Sequence, residues 1–133
     1  MDYSSRSVFV RIFKAKTFAR FTRRERITDE RLREAIEQAE RGLVDADLGG
    51  GLIKLRVARA GQGKRGGYRV LIAFRSNLRA VFLFGFAKNE LDNIEDDQLA
   101  TLRETAALWL VADAQKIAGA LKDGLLIEVR HDG

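Results

Sequence analysis

The chain has 133 residues, a formal charge of +5, 46% apolar residues, no cysteine and one histidine. That length fits one domain spanning 1–133, since domains of about 100–150 residues are the commonest, and the apolar share is enough for a core without staples. Disulfides and thiolate metal sites are excluded, and with His131 alone near the C-terminus, histidine metal chemistry and a Ser-His or Cys-His nucleophile pair are strongly disfavoured.

The start, MDYSSRSVFVRIF, has no long apolar run and no small-residue cleavage site. Val8 to Phe13 is β-branched and aromatic and predicts a first strand. Lys14 to Arg26 is helix-compatible, with Phe18 and Phe21 on one face among arginines. Thr28 then stands as an N-cap, with Asp29 and Glu30 where a helix dipole favours acids. Leu32, Ala35, Ile36, Ala39 and Leu43 follow at helical spacing, and Gly42 supplies a stop. The two segments predict a helical hairpin.

The run LGGG, Leu48 to Gly51, breaks this pattern and opens a strand-rich half. In Leu52 to Val57, Ile53, Leu55 and Val57 alternate with Lys54 and Arg56. Ala58 to Gly67 (ARAGQGKRGG) predicts a flexible basic loop. Tyr68 to Arg75 predicts a strand, Ser76-Asn77 a reversal, and Ala80 to Lys88 the last strand of an antiparallel meander. Glu95 to Lys122 predicts one long helix, on the order of 40 Å if unbroken. Gly124 would end it, and Leu125 to Val129 would add a short edge strand. The longest uncharged apolar run near the C-terminus, Thr105 to Ala112, is too short to span a bilayer. The expectation is therefore a small cytoplasmic α+β protein without membrane contact, in the order β-α-α-β-β-β-α-β, with an antiparallel sheet.

Charge is distributed in blocks. Residues 1–26 carry eight Lys/Arg against two acids, and residues 51–90 carry nine against one. Residues 27–50 carry three against seven, and residues 91–133 four against nine. A fold of this chain can show a sharply positive face, which attracts phosphate backbones and acidic partners alike. Strand alternation puts Lys54 and Arg56 on one face, and Arg69 and Arg75 on one face of the next strand, with Tyr68, Val70, Ile72 and Phe74 opposite. Arg59, Lys64 and Arg65 belong to the loop above. Such alternation ordinarily makes a solvated face on a half-buried sheet. Here, however, the face is almost free of acids, and like charges across strands are destabilising without a compensating ligand.

GQGKRGG lacks the G-x-x-x-x-G-K-[ST] spacing and leads into a strand, so a nucleotide-binding loop is not indicated. Phe82, Phe84 and Phe86 alternate, with Lys88 in the same parity; base stacking beside cations is a single-strand RNA device, and core packing is the ordinary alternative. Gly85 is a place for a bulge that would break this parity. Trp109 reads as core, His131 as solvated tail, and Asp96-Asp97 and Glu128/Asp132 as helix-start and terminal charges. No metal cluster and no cofactor are expected.

LGGGLIKLRVARAGQGKRGGYRVLIAFR followed by FLFGFAKNELDNI resembles the RelE/ParE superfamily, in its RelE/HigB-like branch of type II toxin–antitoxin toxins. The resemblance covers nearly the whole chain from FKAKTFARF to the last helix. It implies a RelE-like fold and a metal-independent endoribonuclease, an mRNA interferase that cuts messenger RNA on the ribosome, inhibits translation and arrests growth. Its implied partners are the ribosome with mRNA and a cognate antitoxin, with a helix-turn-helix domain, that would touch DNA on the toxin's behalf. Carried over, Lys54 and Arg56 match the basic pair after the glycine turn, and Lys64 the lysine of the basic loop. Arg69 matches the arginine of G-Y-R, and Lys88 the basic end of the last meander strand. A C-terminal tyrosine or histidine is missing from the pattern, which leaves Tyr68 as the candidate proton donor. Attack of a 2′-hydroxyl on the adjacent phosphate needs a base, a charge stabiliser and an acid. Arginines suit the second role as permanently charged bidentate donors, and crowding cations weaken a lysine's hold on its proton. The expected assignment is Lys54 as base, Arg56 and Arg69 on the phosphate with Lys88 nearby, and Arg59, Lys64, Arg65, Tyr68, Arg75 and Phe86 on the RNA. Two rival readings share this scaffold and charge: a ParE-like gyrase poison and a non-catalytic RNA- or DNA-binding module.

Overall fold

Apolar residues at alternate positions build strands, and those at helical spacing build helices that must cover them. In this chain the central strands are buried on both faces. The computed structural model describes residues 10–59, 63–87 and 94–130, with backbone alone for 63–66. In chain order the described elements are β1 (Arg11–Ala15), α1 (Lys16–Glu25), α2 (Asp29–Glu40), β2 (Ala46–Gly49), β3 (Leu52–Arg59), β4 (Gly63–Arg75), β5 (Arg79–Ala87), α3 (Asp96–Val111), α4 (Ala114–Lys122) and β6 (Leu126–Glu128). This is an α+β arrangement with one mixed, mostly antiparallel sheet ordered β2-β3-β4-β5-β1-β6. β1 runs parallel to β5 and antiparallel to the edge strand β6.

Helices lie on both sides of the sheet. Phe18 and Phe21 of α1 and Leu32, Ala35, Ile36 and Ala39 of α2 join Ile53, Leu55, Val57, Tyr68, Val70, Ile72 and Phe82 in one core. Ala106 and Leu110 of α3, with Ile117 and Ala120 of α4, join Leu52, Leu71, Ala73, Val81 and Leu83 in the other. β1 sits between the two layers, so Ile12 enters the first core and Phe13 the second. Thr28 caps α2 as expected, its hydroxyl accepting from the Arg31 N–H. Asp29 ties that helix start to β1 and to the segment just after β6, since one oxygen accepts from Lys14 Nζ at 3.1 Å and the other from the Arg130 N–H at 3.1 Å.

Several elements differ from expectation, each for a physical reason. The first strand begins at Arg11 among described residues, and Val8 and Phe9 lie outside them. LGGG is the turn of a β-hairpin, because Ala46–Gly49 pairs with β3 and Gly49, Gly50 and Gly51 all take positive φ. Only glycine enters that region freely, and a Cβ on Gly51 would meet Leu110 Cδ1 at 2.5 Å. The stretch read as a flexible loop is mostly strand: β3 runs on to Arg59 and β4 starts at Gly63. Leu43 lies beyond the end of α2 and is 58% exposed, so it is not part of the helix's buried stripe.

The expected long C-terminal helix is two helices. Ala112 is extended, and Asp113 caps α4 by accepting from the Lys116 N–H at 2.8 Å. Across the sheet, Arg79 Nη1 donates to the carbonyls of Trp109 at 2.7 Å and Ala112 at 2.8 Å. Those terminal carbonyls lack intrahelical partners, and a guanidinium at the negative end of the dipole satisfies them.

β5 carries a register shift against β4. Ile72 faces Phe82 while Leu71 faces Phe84, which leaves Leu83 as the inserted residue. The expected common face of Phe82, Phe84 and Phe86 is therefore split. Phe82 packs with Phe18 on the α1 side, and Phe84 and Phe86 stand on the other face with ring centroids 5.9 Å apart. Gly85 is not the bulge. It faces Val70, and a Cβ there would lie 2.5 Å from the Phe21 ring, so its hydrogen makes room for α1.

Candidate functional site

Ala106 and Leu110 of α3 pack over Leu52, Leu71 and Ala73 in the middle of the sheet, and the hairpin end of β3 and β4 lies beyond that contact. There the antiparallel register places Arg56 opposite Arg69, and Arg69 opposite Phe86 on β5. One step toward the core, Lys54 faces Leu71, and Leu71 faces Phe84. Directly opposed residues share a face, so Lys54, Arg56, Arg69 and Phe86 come together as one patch.

The patch holds one carboxylate that sequence reasoning missed. Asp45, just before β2, accepts from Arg56 Nε at 3.2 Å and stands 3.7 Å from Lys54 Nζ. Its backbone N–H donates to the Lys54 carbonyl at 2.9 Å, which holds it beside that strand. The expectation of a face nearly free of acids is corrected by this residue, which the 46–49 pairing brings in from the acidic block. The unread hairpin was the reason for the miss.

Arg69 has no such compensation. Its Nη1 is buried without a hydrogen-bond partner among the described residues. A buried donor left unpaired costs about 1–3 kcal/mol, and more when charged. Arg69 also faces another arginine across the strand pair, an arrangement that an anion would stabilise. The patch thus pairs one guanidinium held by Asp45 with one whose buried N–H has no acceptor among the described residues.

Other expected site residues lie elsewhere. Tyr68 is 3% exposed on the opposite face, where its hydroxyl donates to Glu25 Oε1 at 2.9 Å. As a proton donor to the Arg56–Arg69 patch it is on the wrong side of the sheet. Arg59 shares that reverse side, its guanidinium 5.2 Å from the Tyr68 ring centroid. Arg75 is exposed opposite Arg79 at the far end of β4, six residues from Arg69 and hence about 20 Å along the strand. Leu71 and Ala73, fully buried under α3, separate the two ends, so the basic face is not continuous. Phe86 is within the patch but only 7% exposed, with little ring surface for stacking. Lys64 and Arg65 have no described side chains, and Lys88 and His131 fall outside the described residues.

Among the described residues, no group of three or more His, Asp or Glu side chains gathers in a metal-binding arrangement. No helix is long and apolar enough to cross a membrane. A family model described as the RelE toxin of the RelE/RelB toxin–antitoxin system matches residues 10–129.

Proposed function

This chain belongs to the RelE toxin family of toxin–antitoxin systems, and from that premise we propose that it is a metal-independent endoribonuclease that cuts messenger RNA on the ribosome. The observation that carries the proposal is the buried Nη1 of Arg69, unpartnered among the described residues, on a side chain facing Arg56. A phosphodiester supplies the acceptor that this pair lacks. As the 2′-hydroxyl attacks, negative charge grows on the phosphorane oxygens, and two preplaced guanidiniums stabilise it more than they stabilise the ground state. Lys54 takes the hydroxyl proton in this scheme, and Asp45 orients Lys54 and Arg56 toward the phosphate. Lys88 completes the cationic set, and Lys64 and Arg65 contact flanking RNA. The described residues of the patch include no tyrosine or histidine, so protonation of the leaving oxygen is assigned to water or ribosomal groups.

A cognate antitoxin, with a helix-turn-helix domain in this proposal, would neutralise the toxin and link it to DNA. The test is induction of wild-type and Arg69→Ala protein in cells, with mapping of transcript ends and of plasmid supercoiling. Codon-positioned cuts with the wild type, lost in a folded R69A variant, support the nuclease. Relaxed or cleaved plasmid without such cuts would instead mark a gyrase poison.

A further inference from the structure

The arginines of α1 and of its C-terminal end play no part in the patch above. Arg24 and Arg26 instead lie by the reverse face of the β3–β4 hairpin, where a cleft of about 500 Å³ is lined by these two with Arg31 and Arg59, and by Glu25 and Tyr68 among its other walls. We propose that this cleft is a second RNA-binding site, which grips the phosphate backbone of an RNA segment distinct from the phosphate being cut.

Four observations carry the assignment. The first is charge: four guanidiniums line the cleft against one carboxylate, and that carboxylate is already engaged by the Tyr68 hydroxyl at 2.9 Å and Arg24 Nε at 3.3 Å. Arg26 and Arg31 form no ion pair among the described residues. The second is backbone: Arg26 occupies the left-handed position that ends α1, with φ 59° and ψ 43°. Glycine is the residue that position favours, and here it carries a guanidinium that lines the cleft instead. The third is continuity, because Arg20, Arg23 and Arg24 sit at i, i+3 and i+4 on α1 and lead an exposed basic ridge into the cleft. The fourth is what the cleft lacks. The large exposed apolar side chains of the described residues, Leu43, Leu78, Leu108, Val111, Leu125 and Ile127, are all elsewhere. A protein partner ordinarily needs an apolar centre to bury, whereas a phosphate backbone needs planar, permanently charged donors.

Tyr68 cannot act as a stacking platform, since its ring is buried beneath Arg59 and packed edge-on against Phe21. The grip is therefore on phosphates and independent of base sequence. Arg59 in the cleft and Arg56 in the candidate site are three residues apart on the same strand, about 10 Å, one on each face. Only the choice of RNA as the ligand rests on the function proposed above.

Fluorescence anisotropy with a short single-stranded 2′-O-methyl RNA, which cannot be cut by 2′-hydroxyl attack, tests the cleft apart from cleavage. The variant is Arg26→Gly with Arg31→Ala; glycine suits the left-handed position and keeps α1 terminated, and an unlowered melting midpoint confirms the fold. Affinity should fall on the order of tenfold, and the slope of log K against log salt should shrink by about 1.4, the loss of two single-strand phosphate contacts. Lys122→Ala on α4 should bind as the wild type does. Unchanged affinity and slope in the double variant would overturn the proposal, as would an equal loss in K122A, which would reduce the effect to net charge. Persistent cutting by R69A bears on the candidate site alone and leaves this binding result intact.

Discussion

Arg69 and Arg79 sit near opposite ends of the same strand pair, both partly buried, and they have opposite fates. Arg79 at the start of β5 is pushed below its usual value by burial, and then by Arg11 and Arg75. It remains a cation whose Nη1 is satisfied by the two carbonyls where α3 ends. Arg69 has a buried Nη1 with nothing to donate to among the described residues. An arginine whose donors are matched within the chain holds the fold together; one whose donor is buried unmatched is poised for a ligand. The difference comes from the neighbouring layer. The C-terminus of α3 lies over the Arg79 end of the strands and offers it carbonyls, whereas no described group offers an acceptor to Arg69 Nη1.

Exchanging each for alanine should separate the two roles. The largest expected effect is on activity: R69A should lower cleavage about 100- to 1000-fold, the usual loss when a preplaced stabiliser of developing charge is removed. Its urea midpoint should hold or rise, because the uncompensated donor leaves with the side chain. Arg79→Ala should do the reverse, costing about 2–3 kcal/mol in urea melts by orphaning two carbonyls while the folded fraction keeps full cleavage. If R79A loses activity at full stability, or R69A unfolds, the contrast between the two ends fails.

The break between α3 and α4 sharpens the same contrast, since it presents the carbonyls that Arg79 holds. Asp113→Ala removes the cap of α4 and should cost about 1 kcal/mol, read from the thermal midpoint. In an R79A background the two losses should not simply add, because both act on one junction.

The smallest effect belongs to the reverse face. The Tyr68 hydroxyl, and then Arg24, hold the Glu25 carboxyl below its ordinary value against the opposing effect of burial. A depressed carboxyl stabilises the fold above its unfolded pKa of about 4.3 and loses that contribution as pH falls through the folded value. Tyr68→Phe should therefore be less stable than wild type near neutrality, and the gap should close below about pH 4. A gap that stays constant from neutral to acid pH would show that the phenol–carboxylate contact is not the cause.

Much of this architecture is legible in local sequence because it depends on local physics. Thr28 and the first-turn acids mark the start of α2, and Leu32, Ala35, Ile36 and Ala39 mark its buried face. Alternation in Leu52 to Val57 and Tyr68 to Arg75 marks two strands and puts Lys54 and Arg56 on one side. The RelE-like motif run pointed to the family, and the match over residues 10–129 places the chain in it. What local sequence does not carry is what lies across the sheet. The Leu83 insertion moves Phe82 away from Phe84 and Phe86, and only pairing with β4 reveals it. Asp45 reaches Lys54 and Arg56 because a glycine hairpin folds β2 onto β3, a contact invisible from eleven positions away. Tyr68 and Arg59 share a sequence neighbourhood with Arg69 yet face the opposite helical layer.

By itself, then, the sequence determined the alternating cores of β3 and β4, the first helices and the concentration of cations between Lys54 and Arg75, because these follow from periodicity, caps and charge count. The tertiary structure alone decided which cations meet. Strand register set Arg56 against Arg69, and α3 closed over Leu71 and Ala73 and cut Arg75 off from them. A guanidinium becomes a site by being buried without an acceptor, and burial is a property of the layers that pack above it, not of the strand that bears it.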